Sequence, residues 1–79
     1  MILYTKPNCE KCDDLKKLLT THNISFLAKD TADPAVIQEL RPKLVGLGSA
    51  MLPILEFDDG TMVPNDMGIY KTLKAKGIL

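Results

Sequence analysis

The chain has 79 residues, of which ten are basic and ten acidic, so its formal charge is zero, and 46% of it is hydrophobic. That length allows one small domain (residues 1–79), which buries only about 60% of its unfolded surface, and an apolar content this high excludes a disordered chain. Intermixed charges exclude a nucleic-acid stripe or a membrane-binding face, four aromatic residues without tryptophan give no base-stacking platform, and no apolar run approaches a membrane span.

In chain order, Ile2 to Thr5 is short, apolar and β-prone, and reads as a buried strand. The start has no basic region ahead of a long apolar core, so it does not read as a secretory signal. Two cysteines do not make a secreted disulfide scaffold, and a cytoplasmic location is the expectation. Lys6-Pro7-Asn8 is a turn, because Pro7 holds Lys6 extended. A helix follows from residue 10 to about 22. Cys12, Leu15, Leu18, Leu19 and His22 repeat on one face, while Asp13, Asp14, Lys16 and Lys17 point away. His22 reads as a solvated helix end, and Asn23 terminates the helix.

Residues 24–28 read as a second strand, and a strand–helix–strand run of this length implies a right-handed parallel pair. Asp33 then suits the N-cap and Pro34 the first position of a second helix, whose apolar face is Val36, Ile37 and Leu40. Pro42 has no N–H, so that helix is expected to break or kink near Arg41, with residues 43–45 adding one further turn. Gly46-Leu47-Gly48-Ser49-Ala50 is a loop without the third glycine or the strand context of a dinucleotide fingerprint. Residues 53–57 and 61–63 form a third and a fourth strand. Asp58-Asp59-Gly60 is the hairpin between them, with Asp59-Gly60 able to supply positive φ. Pro64-Asn65-Asp66 opens a third helix capped by Asn65 or Asp66, with Ile69, Tyr70 and Leu73 buried. Its lysines, Lys71, Lys74 and Lys76, lie toward the C-terminal half, and Gly77 ends it. The order is β-α-β-α-β-β-α, an α/β chain.

The chemistry is concentrated at the first strand–helix junction. If the helix begins just after Cys9, the Cys9 sulfur lies near the free N–H groups of the first turn, where a thiolate is favoured. Lys6 and Lys11 add positive potential, which Glu10, Asp13 and Asp14 partly cancel. Cys12, one turn inside, shares the face and can close a disulfide onto Cys9. A purely structural disulfide would close a very short loop and stabilise little. A zinc site needs about four ligands, and the only histidine, His22, lies roughly 15 Å along the helix from Cys12. A redox dithiol in a βαβ pattern is the better reading.

These features together resemble the glutaredoxins and closely related glutaredoxin-like redoxins of the thioredoxin fold. Tyr4-Thr5-Lys6-Pro7-x-Cys9-x-x-Cys12 is similar to the family's active-site stretch, Met51-Leu52-Pro53 to its Thr-Val-Pro segment, and Val63-Pro64-Asn65-Asp66 to its Gly-Gly-Ser/Asp segment. The resemblance implies a four-stranded mixed sheet flanked by three helices and a cis Leu52–Pro53 bond beside the dithiol. It implies that Cys9 and Cys12 are catalytic, and that Lys6, Leu52, Pro53, Asn65 and Asp66 hold the substrate or glutathione. Arg41 and Lys43 are further candidates for a glutathione carboxylate.

Departures from the family pattern carry physical meaning. Glu10-Lys11 replaces Pro-Tyr between the cysteines, so the electrostatics are less one-sided. Met51 replaces threonine and offers no hydroxyl. Pro64-Asn65 replaces paired glycines, which removes an N–H and adds bulk where the γ-glutamyl carboxylate would dock, and Asp66 would repel that carboxylate.

The resulting expectation is a monomeric thiol–disulfide oxidoreductase with no bound cofactor and no metal. Its substrates would be disulfide-containing proteins, ribonucleotide reductase among the candidates by resemblance. Glutathione, as a co-substrate, or a thioredoxin-type reductase would supply the electrons. No nucleic acid or membrane partner is expected. The alternative is a module whose dithiol holds an iron–sulfur cluster or delivers a metal.

Overall fold

Alternation along the first strand, β1 (Ile2–Thr5), sets the layers, because successive strand residues face opposite sides of a sheet. Leu3 and Tyr4 are both fully buried, so both sides must be covered. The computed structural model describes residues 1–46, 52–64 and 68–78, and in it β1 occupies an inner position of a four-stranded sheet, between the strands Leu27–Asp30 and Ile54–Glu56. β2 (Leu27–Asp30) runs parallel to β1, whereas β3 (Ile54–Glu56) is antiparallel to β1 and β4 (Met62–Pro64) is antiparallel to β3. Among the described residues, the expected mixed sheet with three helices is what forms.

Leu3, Leu55, Phe57 and Val63 pack with Leu15 and Leu19 of α1 (Glu10–Thr21) and with Ile69 and Leu73 of α3 (Ile69–Ala75). Tyr4 and Ile54 pack with Leu40 of α2 (Pro34–Leu44), joined by the half-buried Ile2, Val36, Leu44, Leu52 and Met62. Two helices thus cover one face and a single helix covers the other. No helix among the described residues is long and apolar enough to cross a membrane.

Several boundaries differ from the sequence expectation, each for a local reason. β2 begins at Leu27, not at residue 24. Asn23 adopts φ 57, its N–H donates to the Thr20 carbonyl at 3.1 Å, and the Ile24 N–H donates to the Leu19 carbonyl at 2.9 Å. Those bonds close the last turn of α1 and pack Ile24 against the core beside Leu19, so the chain is free to pair with β1 only from Leu27, opposite Ile2.

α2 does not break near Arg41 but runs through Pro42 to Leu44. The turn containing Pro42 is held from both sides: Leu44 packs against the Tyr4–Leu40–Ile54 cluster, and the Lys43 ammonium bonds Glu56 at 2.9 Å. These contacts offset the one helical hydrogen bond that Pro42 forfeits. At the start of α2 the expectation holds, since the Asp33 carboxylate accepts from the Ala35 N–H at 3.0 Å and Pro34 is the first helical residue.

α3 starts at Ile69 with Gly68, at φ 77, in the cap position, and not at Pro64. Pro64 is the last residue of β4, opposite Ile54, on an edge strand where a missing N–H is tolerated. Tyr70, expected in the core, is 46% exposed, because in so short a helix only Ile69 and Leu73, four apart, face the sheet. The proposed caps Asn65 and Asp66 lie outside the described residues. In the β3–β4 hairpin the positive φ of 89° falls on Gly60 alone, whose N–H donates to the Phe57 carbonyl at 2.9 Å. Asp59 contributes its carboxylate, which accepts from the Thr61 N–H at 2.9 Å.

Candidate functional site

The site is assembled at the C-terminal end of β1. The Thr5 carbonyl accepts from both the N–H and the hydroxyl of Thr31, each at 2.8 Å, which fixes that end of the strand to the segment leading into α2. The chain then turns through the exposed Lys6, Pro7 and Asn8, with Asn8 in the left-handed region at φ 57. Cys9 follows in an extended conformation (φ −103, ψ 102) as the N-cap of α1. Its sulfur accepts the Cys12 N–H at 3.1 Å, and its carbonyl accepts the Asp13 N–H at 3.1 Å. A residue that normally caps with oxygen is here replaced by a sulfur, which takes one of the otherwise free donors of the first turn.

Cys9 and Cys12 are joined as a disulfide, with Cα atoms 5.2 Å apart. Cys9 is 7% exposed and Cys12 is 1% exposed, so Cys9 is the less buried of the two residues. Around the pair, Lys6, Glu10, Lys11, Asp13 and Asp14 are all exposed. Exposed charges of both signs therefore neighbour the two cysteines along the chain.

The Leu52–Pro53 peptide is cis, as the family resemblance implies. Pro53 is buried and directly precedes Ile54, the partner of Tyr4 in the last β1–β3 pair. It therefore enters the sheet at the end of β1 from which the chain turns into Cys9. Pro64, opposite Ile54 on β4, lies at the same end. Leu52 is half-buried against the Tyr4–Ile54 cluster, and Lys6 is exposed on the turn. Met51, Asn65 and Asp66 lie outside the described residues.

Lys43 is not a free cation for a glutathione carboxylate. Its ammonium donates to both Glu56 oxygens, at 2.9 and 3.2 Å, and to the Tyr4 hydroxyl at 3.2 Å, while that hydroxyl donates to Glu56 at 3.1 Å. The Glu56 hydrogen bond raises the Lys43 pKa, and burial, reinforced by Glu56, raises that of the Tyr4 phenol. Lys29 extends the row by binding both oxygens of Glu39, at 2.9 and 2.8 Å. This network ties α2 across β2, β1 and β3 behind the site. Sequence reasoning missed it, because Tyr4, Lys43 and Glu56 converge only once the sheet order is set; the one signal was a lone glutamate inside an otherwise apolar strand. Asn8 was also missed as anything beyond a turn residue, although asparagine's tolerance of positive φ was a legible hint.

His22, at the exposed C-terminal cap of α1, is remote from Cys9 at the other end of that helix. Among the described residues, no three His, Cys, Asp or Glu side chains gather where a metal ion would sit.

A family model described as Glutaredoxin matches residues 1–60. That span includes Cys9, Cys12 and Pro53 but stops short of Pro64, Asn65 and Asp66. A solved crystal structure described as the thioredoxin-like protein BC3987 superposes with a TM-score of 0.72 at 24% identity, covering 99% of this chain and 97% of that one. At that identity the likeness speaks for the fold. No curated protein matches the chain.

Proposed function

The chain belongs to the glutaredoxin family, and on that basis we propose that it is a thiol–disulfide oxidoreductase working through Cys9 and Cys12. The observation that carries this reading is the dithiol itself: Cys9 caps α1 with its sulfur on an N–H donor, and Cys12 lies buried one turn behind it. In the reduced protein the Cys9 thiolate, favoured by that donor and the helix N-terminus, attacks one sulfur of a substrate disulfide. A Cys9–substrate disulfide forms and the second substrate sulfur leaves as a thiolate, which takes a proton. Cys12 then loses its proton and attacks the Cys9 sulfur, releasing the remaining substrate thiol. Two electrons have passed from the two cysteines to the substrate, whose two thiols take up the Cys12 proton and one proton from solvent, and the Cys9–Cys12 disulfide remains. Pro53 and Leu52, entering the sheet beside the end of β1, would form the wall against which a substrate lies, and Lys6 would meet a carboxylate on it.

Disulfide-bearing proteins are the substrate class of this reading, ribonucleotide reductase being a candidate that the family resemblance supplies, and a reducing compartment such as the cytoplasm is its natural setting. The electron donor is either glutathione or a thioredoxin-type reductase. Replacement of the paired glycines by Pro64-Asn65, with Asp66 next to them, argues for the reductase. NADPH consumption decides: the oxidised protein is offered glutathione with glutathione reductase, and separately thioredoxin reductase. Turnover with the reductase alone is expected. Turnover with glutathione alone would reverse the choice of donor, and silence with both would overturn the oxidoreductase reading. Within the assay, Cys9→Ser should abolish turnover, while Cys12→Ser should accumulate mixed disulfides visible by intact mass.

A further inference from the structure

Two non-glycine residues among those described have positive φ: Asn8 and Asn23, both at 57°. Asn23 is accounted for by the end of α1, whose last carbonyls its own N–H and that of Ile24 satisfy. Asn8 closes no helix. It is exposed, so packing does not impose its conformation. What it does is set the direction of the next residue. Pro7 has φ confined near −65°, so the chain leaving β1 has one freely adjustable residue between that proline and Cys9. With Asn8 left-handed, Cys9 arrives extended, at φ −103 and ψ 102, with its sulfur 3.1 Å from the Cys12 nitrogen.

We infer that Asn8 is a positioning residue for Cys9, its left-handed backbone directing the Cys9 sulfur onto the first-turn N–H of α1. The inference rests on the reading of Cys9 as the attacking thiol and adds a specific residue that makes it so. Asparagine and glycine reach this region readily, alanine less so, and a β-branched residue there is an outlier. A residue forced back to negative φ would swing Cys9 away from the N–H donor and leave its thiolate less stabilised.

The test uses the full chain in the Cys12→Ser background, where Cys9 is the only thiol, and follows alkylation by iodoacetamide as a function of pH. Asn8→Val is expected to raise the midpoint of the alkylation profile by about one unit, so that on the acid side of the parent midpoint alkylation is about tenfold slower. Asn8→Gly is expected to restore the parent profile. Asn23→Val imposes the same backbone conflict at the far end of α1, and should lower the melting temperature without moving the Cys9 profile. An Asn8→Val protein that is folded and keeps the parent profile overturns the inference. Should that variant not fold, Asn8→Ala takes its place with the same direction of shift required. A parent Cys9 that titrates like an unperturbed thiol, near about 8.5, would instead overturn the thiolate reading on which the inference stands.

Discussion

At the scale of single residues, the strongest polar commitments lie away from the dithiol. The Lys43–Glu56–Tyr4 cluster is half-buried, with side-chain exposures of 32% for Lys43 and 16% for Glu56. Lys43→Met should therefore cost about 1 kcal/mol or somewhat more, beyond the few tenths of an exposed ion pair, because it leaves the Glu56 carboxylate with fewer donors. Urea unfolding of the variant measures it. Asp59 shows the opposite environment, an exposed carboxylate organised by its neighbours. The Thr61 backbone N–H and hydroxyl, and then the Lys76 ammonium, lower its pKa from 3.8 to about 2. A lowered folded-state value means that the stabilisation is complete above the ordinary value of 3.8 and is lost as pH falls through about 2. The difference in urea midpoint between the parent and Asp59→Asn should accordingly be constant from pH 7 to about 5 and shrink between pH 4 and 2. A difference that persists at pH 2 would remove the carboxylate from the explanation.

At the scale of elements, α1 and α3 end in the same way. Asn23 and Gly77 take the left-handed position, and the next residues, Ile24 and Ile78, bond back to the Leu19 and Leu73 carbonyls at 2.9 and 3.0 Å while packing on the core. Stopping these helices and feeding apolar side chains to the sheet are thus one event. α2 is held differently. Its final turn contains Pro42 and is maintained by Leu44 and Lys43, which reach the sheet on either side of it. A proline inside a helix costs up to about 3 kcal/mol relative to alanine, less near an end where bonds are already few. Pro42→Ala should then stabilise the chain by about 1 kcal/mol, seen as a higher urea midpoint with an unchanged slope. An unchanged or lower midpoint would mean that the proline serves the packing of this turn.

At the scale of the whole molecule, one strand carries both hydrophobic layers. Leu3 faces α1 and α3 while Tyr4 faces α2, and both are fully buried. For 79 residues the total stability is about 4–12 kcal/mol. Truncating a fully buried leucine costs about 2–5 kcal/mol. Leu3→Ala should therefore consume much of the margin, with partial unfolding at 37 °C detectable by circular dichroism. The same strand delivers the dithiol: its C-terminal end is fixed by Thr31, flanked by Pro53 at the start of β3, and continued by the turn into Cys9. Core and site share a scaffold, so core variants are expected to affect reactivity only through folding.

The local features were legible in the sequence. The Cys9-x-x-Cys12 spacing, Pro7 ahead of the helix, Asp33-Pro34 at the start of α2, Asp59-Gly60 in the hairpin and Gly77 at the end of α3 each act through their own dihedral angles or nearest-neighbour hydrogen bonds. Such signals survive in a one-dimensional string. With the family resemblance they also gave the order of elements and the sheet class. What tertiary structure alone decided depends on residues far apart in the chain. Pro42 stays inside its helix because Leu44 and Lys43 find Tyr4, Ile54 and Glu56. β2 begins at Leu27 because Ile2 is its partner, and Tyr70 stays outside because Ile69 and Leu73 already face the core. Periodicity says which residues prefer burial, but the register between strands and the covering of each face determine which are buried, and those are properties of the assembled sheet.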